Sequence, residues 1–184
     1  MPAHYPPVTT IEELLALPDD GLRHELLDGE HVVTPAPAPR HQLVLQEIHL
    51  VFGIALRDRD DLLVFLSPAD VVLGPRSLVQ PDLFIISKDP GRPVEAWAEV
   101  GIPLLAVEVL SPSTASRDRG KKRRIYQRAG VGEYWIVDLD ARVVERWSPL
   151  DERPEILDER IEWTAPDRSR FPMDISSVFR SSLG

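Results

Sequence analysis

A charged residue on the buried stripe of a helix is the strongest constraint in this sequence. The segment 114–130 reads TASRDRGKKRRIYQRAG, with Ala115, Ile125, Tyr126 and Ala129 as its apolar positions. At helical spacing, Asp118 and Lys122 complete that stripe. Arg117, Lys121, Arg124 and Arg128 fall on a second stripe, turned to solvent. An ammonium turned inward is costly unless a carboxylate, a metal-bound oxygen or a phosphate meets it. Just upstream, Leu104–Leu110 is an apolar run with one carboxylate, Glu108, in its middle. The chain must then fold so that a buried strand brings a carboxylate to a helix that presents a lysine. The competing reading of Lys122, a solvated i,i+4 pair with Asp118, is worth only ~0.3–0.5 kcal/mol.

A second strand candidate repeats the pattern. Residues 81–86 read PDLFII, apolar except for Asp82 after its proline. Buried strands read as continuous apolar runs, so a lone acid in each is conspicuous. By itself Asp82 also suits a strand-start turn. Two such acids on neighbouring strands repel unless one is protonated or a cation bridges them. A hard divalent ion with oxygen ligands, Mg²⁺ or Mn²⁺, meets that need, held by Asp82 and Glu108. With Lys122 nearby, the set has what phosphodiester hydrolysis requires: a polarised phosphate, an activated water, and a cation that orients it or stabilises developing charge. Arg117, Lys121, Arg124 and Arg128, on the same helix as Lys122, offer contacts to substrate phosphates. His41, opening the second helix, reads as a capping or packing histidine able to face the site.

Composition removes most other classes. The chain has 184 residues, 43% of them hydrophobic and 28% charged, as expected for one globular domain spanning 1–184. It has no cysteine, which excludes disulfides, thiolate metal sites and cysteine nucleophiles. Apolar runs reach about seven residues against the ~20 that span a bilayer, and MPAHYPPVTT lacks a secretion pattern, so a cytoplasmic protein is expected. The net charge of −9 opposes bulk attraction to nucleic acid or anionic membrane. Seven Lys or Arg against one Asp between 117 and 128 make a weak, metal-dependent contact with a phosphate backbone more plausible than tight binding. No Gly-x-Ser-x-Gly elbow, glycine-rich phosphate loop or histidine metal motif is present.

Along the chain, Thr9/Thr10 with Glu12/Glu13 predict a capped short helix ended by Pro18. Asp28-Gly29 between HELL and HVVT predicts a hairpin. After PAPAP, a helix is expected from about Arg40 to Leu56, with Val44, Ile48, Val51 and Ala55 facing the sheet. Strands are expected at 62–66, 71–73, 79–86 and 104–110, with the polar loop 88–103 as a rim or lid. Ser111–Thr114 reads as the cap of the basic helix and Gly130 as its end. A hairpin of 133–137 with 143–147 follows, its Tyr134 and Trp135 sized for core or dimer contacts, then a strand at 161–163 and a turn or short helix at 172–179. The order predicts α/β architecture, a mixed sheet with flanking helices and the site at its open edge.

These motifs carry a family resemblance. Pro81-Asp82 followed by Glu108 resembles the PD-(D/E)XK phosphodiesterases, whose fold is that of restriction enzymes. HELLDGE (24–30), PDLFII, EVLSPST (108–114), the spacing of Asp118, Lys122 and Tyr126, and GVGEYWIVD (130–138) resemble the large bacterial Uma family of restriction-endonuclease-like proteins. The similarity runs in order through nearly the whole chain. It implies a restriction-endonuclease-like core and metal-dependent endonuclease activity, most readily on DNA. It also adds Glu25 as an acid near the metal. The superfamily pattern places lysine two residues after the second acid, where Leu110 stands here. In the Uma family the lysine is shifted to the next helix, which maps to Lys122. Two further expectations compete: an inactive nuclease fold kept as a nucleic-acid or protein binding module, and a structural ion-pair network. Homodimerisation would place two sites on two strands.

Overall fold

Residues 7–184 are described by the computed structural model; the first six residues of the N-terminal stretch lie outside them. Helix α1 (Ile11–Leu15) begins in a complete capping box, Thr10 accepting from the Glu13 amide while Glu13 reaches back. Strands β1 (Arg23–Leu27) and β2 (Glu30–Thr34) then form a hairpin. Its turn takes positive φ at both Asp28 (51°) and Gly29 (82°), the geometry that Asp-Gly supplies at least cost.

Helix α2 (Pro39–Ala55) buries His41, Val44, Leu45, Ile48 and Phe52. Phe52 thus takes the place expected for Ala55, which is exposed. The strands that follow are β3 (Leu62–Leu66), β4 (Val71–Gly74), β5 (Ser77–Val79), β6 (Leu83–Ser87) and β7 (Leu105–Val109). A helical crossover, α3 (Ala115–Arg117), a π turn (Asp118–Lys122) and α4 (Arg123–Ala129), leads to β8 (Glu133–Asp138) and β9 (Val143–Trp147). The chain ends with β10 (Glu155–Leu157), β11 (Arg160–Thr164), β12 (Arg170–Asp174) and α5 (Ile175–Leu183).

The central sheet has the order β10-β9-β8-β7-β6-β3, with β7 and β8 parallel and the other neighbours antiparallel. A smaller antiparallel sheet, β2-β1-β5-β4, packs on one side. The expected mixed α/β architecture is what forms. Period-two alternation sorts the central strands between two cores. Leu83, Ile85, Leu105, Val107, Trp135 and Val137 face α2, α5 and Trp163. Phe84, Ile86, Ala106, Tyr134 and Ile136 face the small sheet and α4. Glu108, in step with Ala106, therefore points toward α4.

Four expectations need correction. The run 79–86 is two strands in two sheets, because Pro81 cannot donate to a ladder and the chain changes sheets at Gln80–Asp82. The site then lies at the ends of the interior strands β6 and β7, between the two sheets, and not at an open edge. The loop 88–103 leaves from the opposite end of β6 and lays Trp97 edge-on against Phe65 of β3, and none of its residues lines the cavity at Asp82 and Glu108, so it does not roof the site. Pro172 lies in β12, and the terminal helix starts only at Ile175, after Asp174 caps it. Tyr134 and Trp135, expected in core or dimer contacts, are buried within the protein and take the core role.

Candidate active site

The first face of β1 begins the site. Arg23, Glu25 and Leu27 share one side of that strand, and Leu27 belongs to the α4-facing core. Glu25 is turned between the sheets, where its Oε1 accepts the Gln80 amide at 2.8 Å and Lys122 Nζ at 2.9 Å. From the other side Glu108 Oε1 takes Lys122 Nζ at 2.5 Å and the Tyr126 hydroxyl at 2.9 Å. All three of Glu25, Glu108 and Lys122 are at most 2% exposed. The lysine is thus clamped between acids from two sheets, and the snorkelling pair with Asp118 does not form.

The crossover helix achieves this through its π turn. Eight α-helical steps separate Asp118 from Tyr126 and would drift by ~80°. A wider turn at 118–122 takes out part of that drift and keeps Asp118, Lys122 and Tyr126 on one side, all three buried. Upstream, Thr114 does not cap the helix with its side chain; its hydroxyl accepts the Ser111 amide instead, at 3.3 Å. Ala115 and Ala129 are only half-buried, so the stripe is narrower than its apolar positions suggest.

Asp82 completes the group at the start of β6. Its Oδ1 accepts Arg23 Nη1 at 2.6 Å; its Oδ2 accepts the Val109 amide at 2.8 Å and faces His41 Nε2 at 2.9 Å. A carboxylate only accepts, so His41 donates there. Arg23 bears no distinguishing mark in the sequence beyond its two-residue offset from Glu25 on a strand, and His41, which reads there first as a capping or packing histidine, faces the site instead.

The electrostatics are unbalanced. Four buried carboxyl groups, Glu25, Asp82, Glu108 and Asp118, meet two permanent cations, Arg23 and Lys122, and one titratable one, His41. Burial works against the Asp82 charge, but the His41 hydrogen bond, the charges of His41 and Arg23 and the Val109 amide hold it near 2. Glu108 carries the excess. Burial pushes its carboxyl up to about 8; Lys122 opposes the rise, while Asp82, Asp118 and Glu25 add to it. Asp118 is also raised, by burial first. Lys122 is desolvated yet held more firmly protonated by Glu108 and Glu25, so it acts as a cation and not as a base.

The basic stripe is mostly committed elsewhere. Lys121 bonds Glu30 at 2.6 Å and Arg128 pairs with Asp28, so both grip the β1–β2 turn. Arg117 lies close enough to add to the pull on Glu30, and Arg124 is exposed. Arg119 binds Asp138 and Glu145, and Arg123 covers the Trp147 ring at 4.5 Å.

A cavity of about 220 Å³ opens onto this centre, lined by Asp82 and Glu108 together with Arg23, Thr34, His41 and Ser111. Among the described residues no three His, Asp or Glu stand close enough to hold a metal ion by themselves. The carboxylates that reach the cavity are Asp82 and Glu108. That pair suits Mg²⁺ or Mn²⁺, which commonly take one or two carboxylates and complete their shell with water and phosphate oxygens. It does not suit a closed structural zinc site or an all-protein calcium cage.

A mixed sheet whose interior strand ends bring buried acids to one lysine defines an α/β protein with an acid–lysine centre. The chain belongs to the Uma2 family, described as "Putative restriction endonuclease", whose pattern matches residues 11–172. No curated protein matches it in sequence. Among solved structures it is similar to "a putative nuclease belonging to DUF820" from Anabaena variabilis ATCC 29413. That similarity has a TM-score of 0.77 at 21% identity, over 95% of this chain and 99% of the other, and it establishes a shared fold.

Proposed function

We propose that this protein is a metal-dependent endonuclease that hydrolyses phosphodiester bonds, in DNA, through a PD-(D/E)XK-type centre. One observation carries the reading: a buried lysine held by Glu25 and Glu108, beside Asp82, in a group short of positive charge. A divalent cation is the species that would remove that shortfall, and Asp82 and Glu108 are the residues to hold it. When bound, Mg²⁺ or Mn²⁺ supplies Lewis acidity toward a phosphate oxygen and acidifies a water. Glu25 fixes Lys122 by its Oε1 and Tyr126 fixes Glu108 by its hydroxyl, so the ammonium is held against Glu108, the acid that reaches the cavity. From there Lys122 orients a water or meets negative charge developing on phosphate. Its raised pKa keeps it charged throughout the neutral range. Arg117 and Arg124 remain for phosphates further along the strand, and Lys121 joins them only by exchanging its bond to Glu30.

The net charge of −9 and the neutralised basic helix favour a second reading, an inactive binding module. The test is cleavage of plasmid and single-stranded DNA with Mg²⁺ or Mn²⁺, wild type against Glu108→Gln, with thermal melts of both with and without the ion. Cutting and metal stabilisation by the wild type, both lost in a folded variant, support the nuclease. Metal-independent melting and no cutting of either DNA would end that reading.

A further inference from the structure

Five buried side-chain atoms among the described residues have no hydrogen-bond partner within the protein, and three of them sit together. They are Arg23 Nε, Thr34 Oγ1 and His41 Nδ1. All three residues line the 220 Å³ cavity that reaches Asp82 and Glu108. Arg23 and Thr34 are direct cross-strand partners at the open end of the β1–β2 ladder, so their side chains stand on the same face. Thr34 is 7% exposed and His41 6%. A buried polar atom left unmatched costs about 1–3 kcal/mol, so three of them, in residues that line one cavity, call for a partner from outside the protein.

A fourth feature points the same way. Helix α2 is 17 residues long, yet its N-cap is Ala38, which has no side chain to accept the first amides, and Pro39 follows. Ala38 and His41, in the first turn, line the same cavity. Free amides at a long helix N-terminus favour an anion.

We propose that Arg23, Thr34 and the N-terminal turn of α2 form a phosphate-binding pocket next to the acid–lysine centre, with His41 as its wall. The ligand is a phosphate of a nucleic-acid strand adjoining the scissile one, an assignment that rests on the nuclease reading. Arg23 is the bridge. One guanidinium nitrogen is spent on Asp82 Oδ1 at 2.6 Å, and the Nε edge remains for a phosphate oxygen. Thr34 contributes its hydroxyl and α2 its amides. Arg23 thereby couples strand position to Asp82, which makes it a binding and positioning residue.

Thr34→Val separates this role from folding, since it deletes an oxygen that bonds nothing in the protein and leaves the shape unchanged. The probe is a fluorescent oligothymidylate measured by anisotropy in EDTA, so that neither metal binding nor cleavage contributes. Thr34→Val should keep or raise the melting temperature and weaken binding about three- to tenfold. Arg23→Gln should weaken it at least tenfold and flatten the salt dependence by about one phosphate contact. Comparison of oligonucleotides with and without a 5′-phosphate assigns the pocket. Equal binding identifies an internal diester, and tighter binding of the phosphorylated strand a terminal phosphate; both support the proposal. Wild-type affinity in a folded Thr34→Val together with unchanged binding by Arg23→Gln would overturn it. Failure of the nuclease reading shows separately: a wild type that neither cuts DNA nor gains stability from Mn²⁺, yet binds the strand through Thr34 and Arg23.

Discussion

At Lys122 the charge balance has consequences for stability that differ by substitution. Lys122→Met leaves Glu25 and Glu108 buried against each other with no cation between them, and should cost about 3–5 kcal/mol, read by chemical denaturation. Glu108→Gln keeps an acceptor for Tyr126 and leaves Lys122 its bond to Glu25. Its effect should depend on pH. The folded Glu108 carboxyl titrates near 8 against an ordinary value of 4.5, so the native state binds its proton more tightly than the unfolded chain. That contribution is fully present below pH 4.5 and is lost as pH rises toward 8. In metal-free buffer the variant should therefore gain on the wild type between pH 5 and 8, by on the order of 3–4 kcal/mol. A constant difference across that range would show that Glu108 is ionised throughout and that the centre is not short of positive charge. The sequence disclosed this lysine and its acids because each is a polar residue where the periodicity demands an apolar one. Arg23 escaped notice because a strand end tolerates an arginine, and only the pairing with Asp82, 59 residues away, shows its purpose.

Among the elements, the crossover from β7 to β8 sets the geometry of the site, and one glycine lets those strands start together. A Cβ built on Gly132 would lie 2.6 Å from the Leu104 carbonyl oxygen, a backbone atom that cannot swing away. Gly132→Ala should force the parallel pair β7–β8 apart at its beginning and cost about 1–3 kcal/mol. Gly101→Ala, where a Cβ would meet nothing within 4 Å, is the matched control and should stay within about 0.5 kcal/mol of wild type. Equal melting temperatures for the two variants would contradict the close approach. Local signals such as the Asp28-Gly29 turn, the Thr10–Glu13 box and the Gly130 cap were legible because they depend on neighbours in sequence. The division of 79–86 between two sheets was not. Both halves are apolar, and which sheet each joins depends on β1 and β7, far away in the chain. The π turn was hidden for a related reason: the four-residue spacing of Asp118, Lys122 and Tyr126 reads equally as a drifting α stripe.

For the whole molecule, the proposed function raises the question of how a protein of net charge −9 would hold a polyanion. Lys121 and Arg128 tie the crossover helix to Glu30 and Asp28 on the hairpin turn, while Arg119 is held by Asp138 and Glu145. These pairs connect the two sheets that carry Glu25 and Glu108, and they withdraw most of the basic stripe from outside partners. Arg23 in the cavity, with Arg117 and Arg124 on the helix, is what remains to meet phosphates. Three contacts on a single strand predict a salt slope of about −2 in log K against log[salt]. Binding of an oligonucleotide in EDTA should accordingly be weak and fall only about 15-fold between 50 and 200 mM KCl. Much of any tight binding would then come from the ion at Asp82 and Glu108, and Mn²⁺ should strengthen the complex more than lowering the salt does. A slope near −4 would mean that Lys121, Arg119 and Arg128 abandon their acids for the strand. In that case the hairpin would loosen from the helix on binding, and hydrogen exchange at residues 23–34 should rise in the complex. With the shallow slope those amides stay protected, and the protein meets its substrate as a rigid, acidic body with a local charge sink.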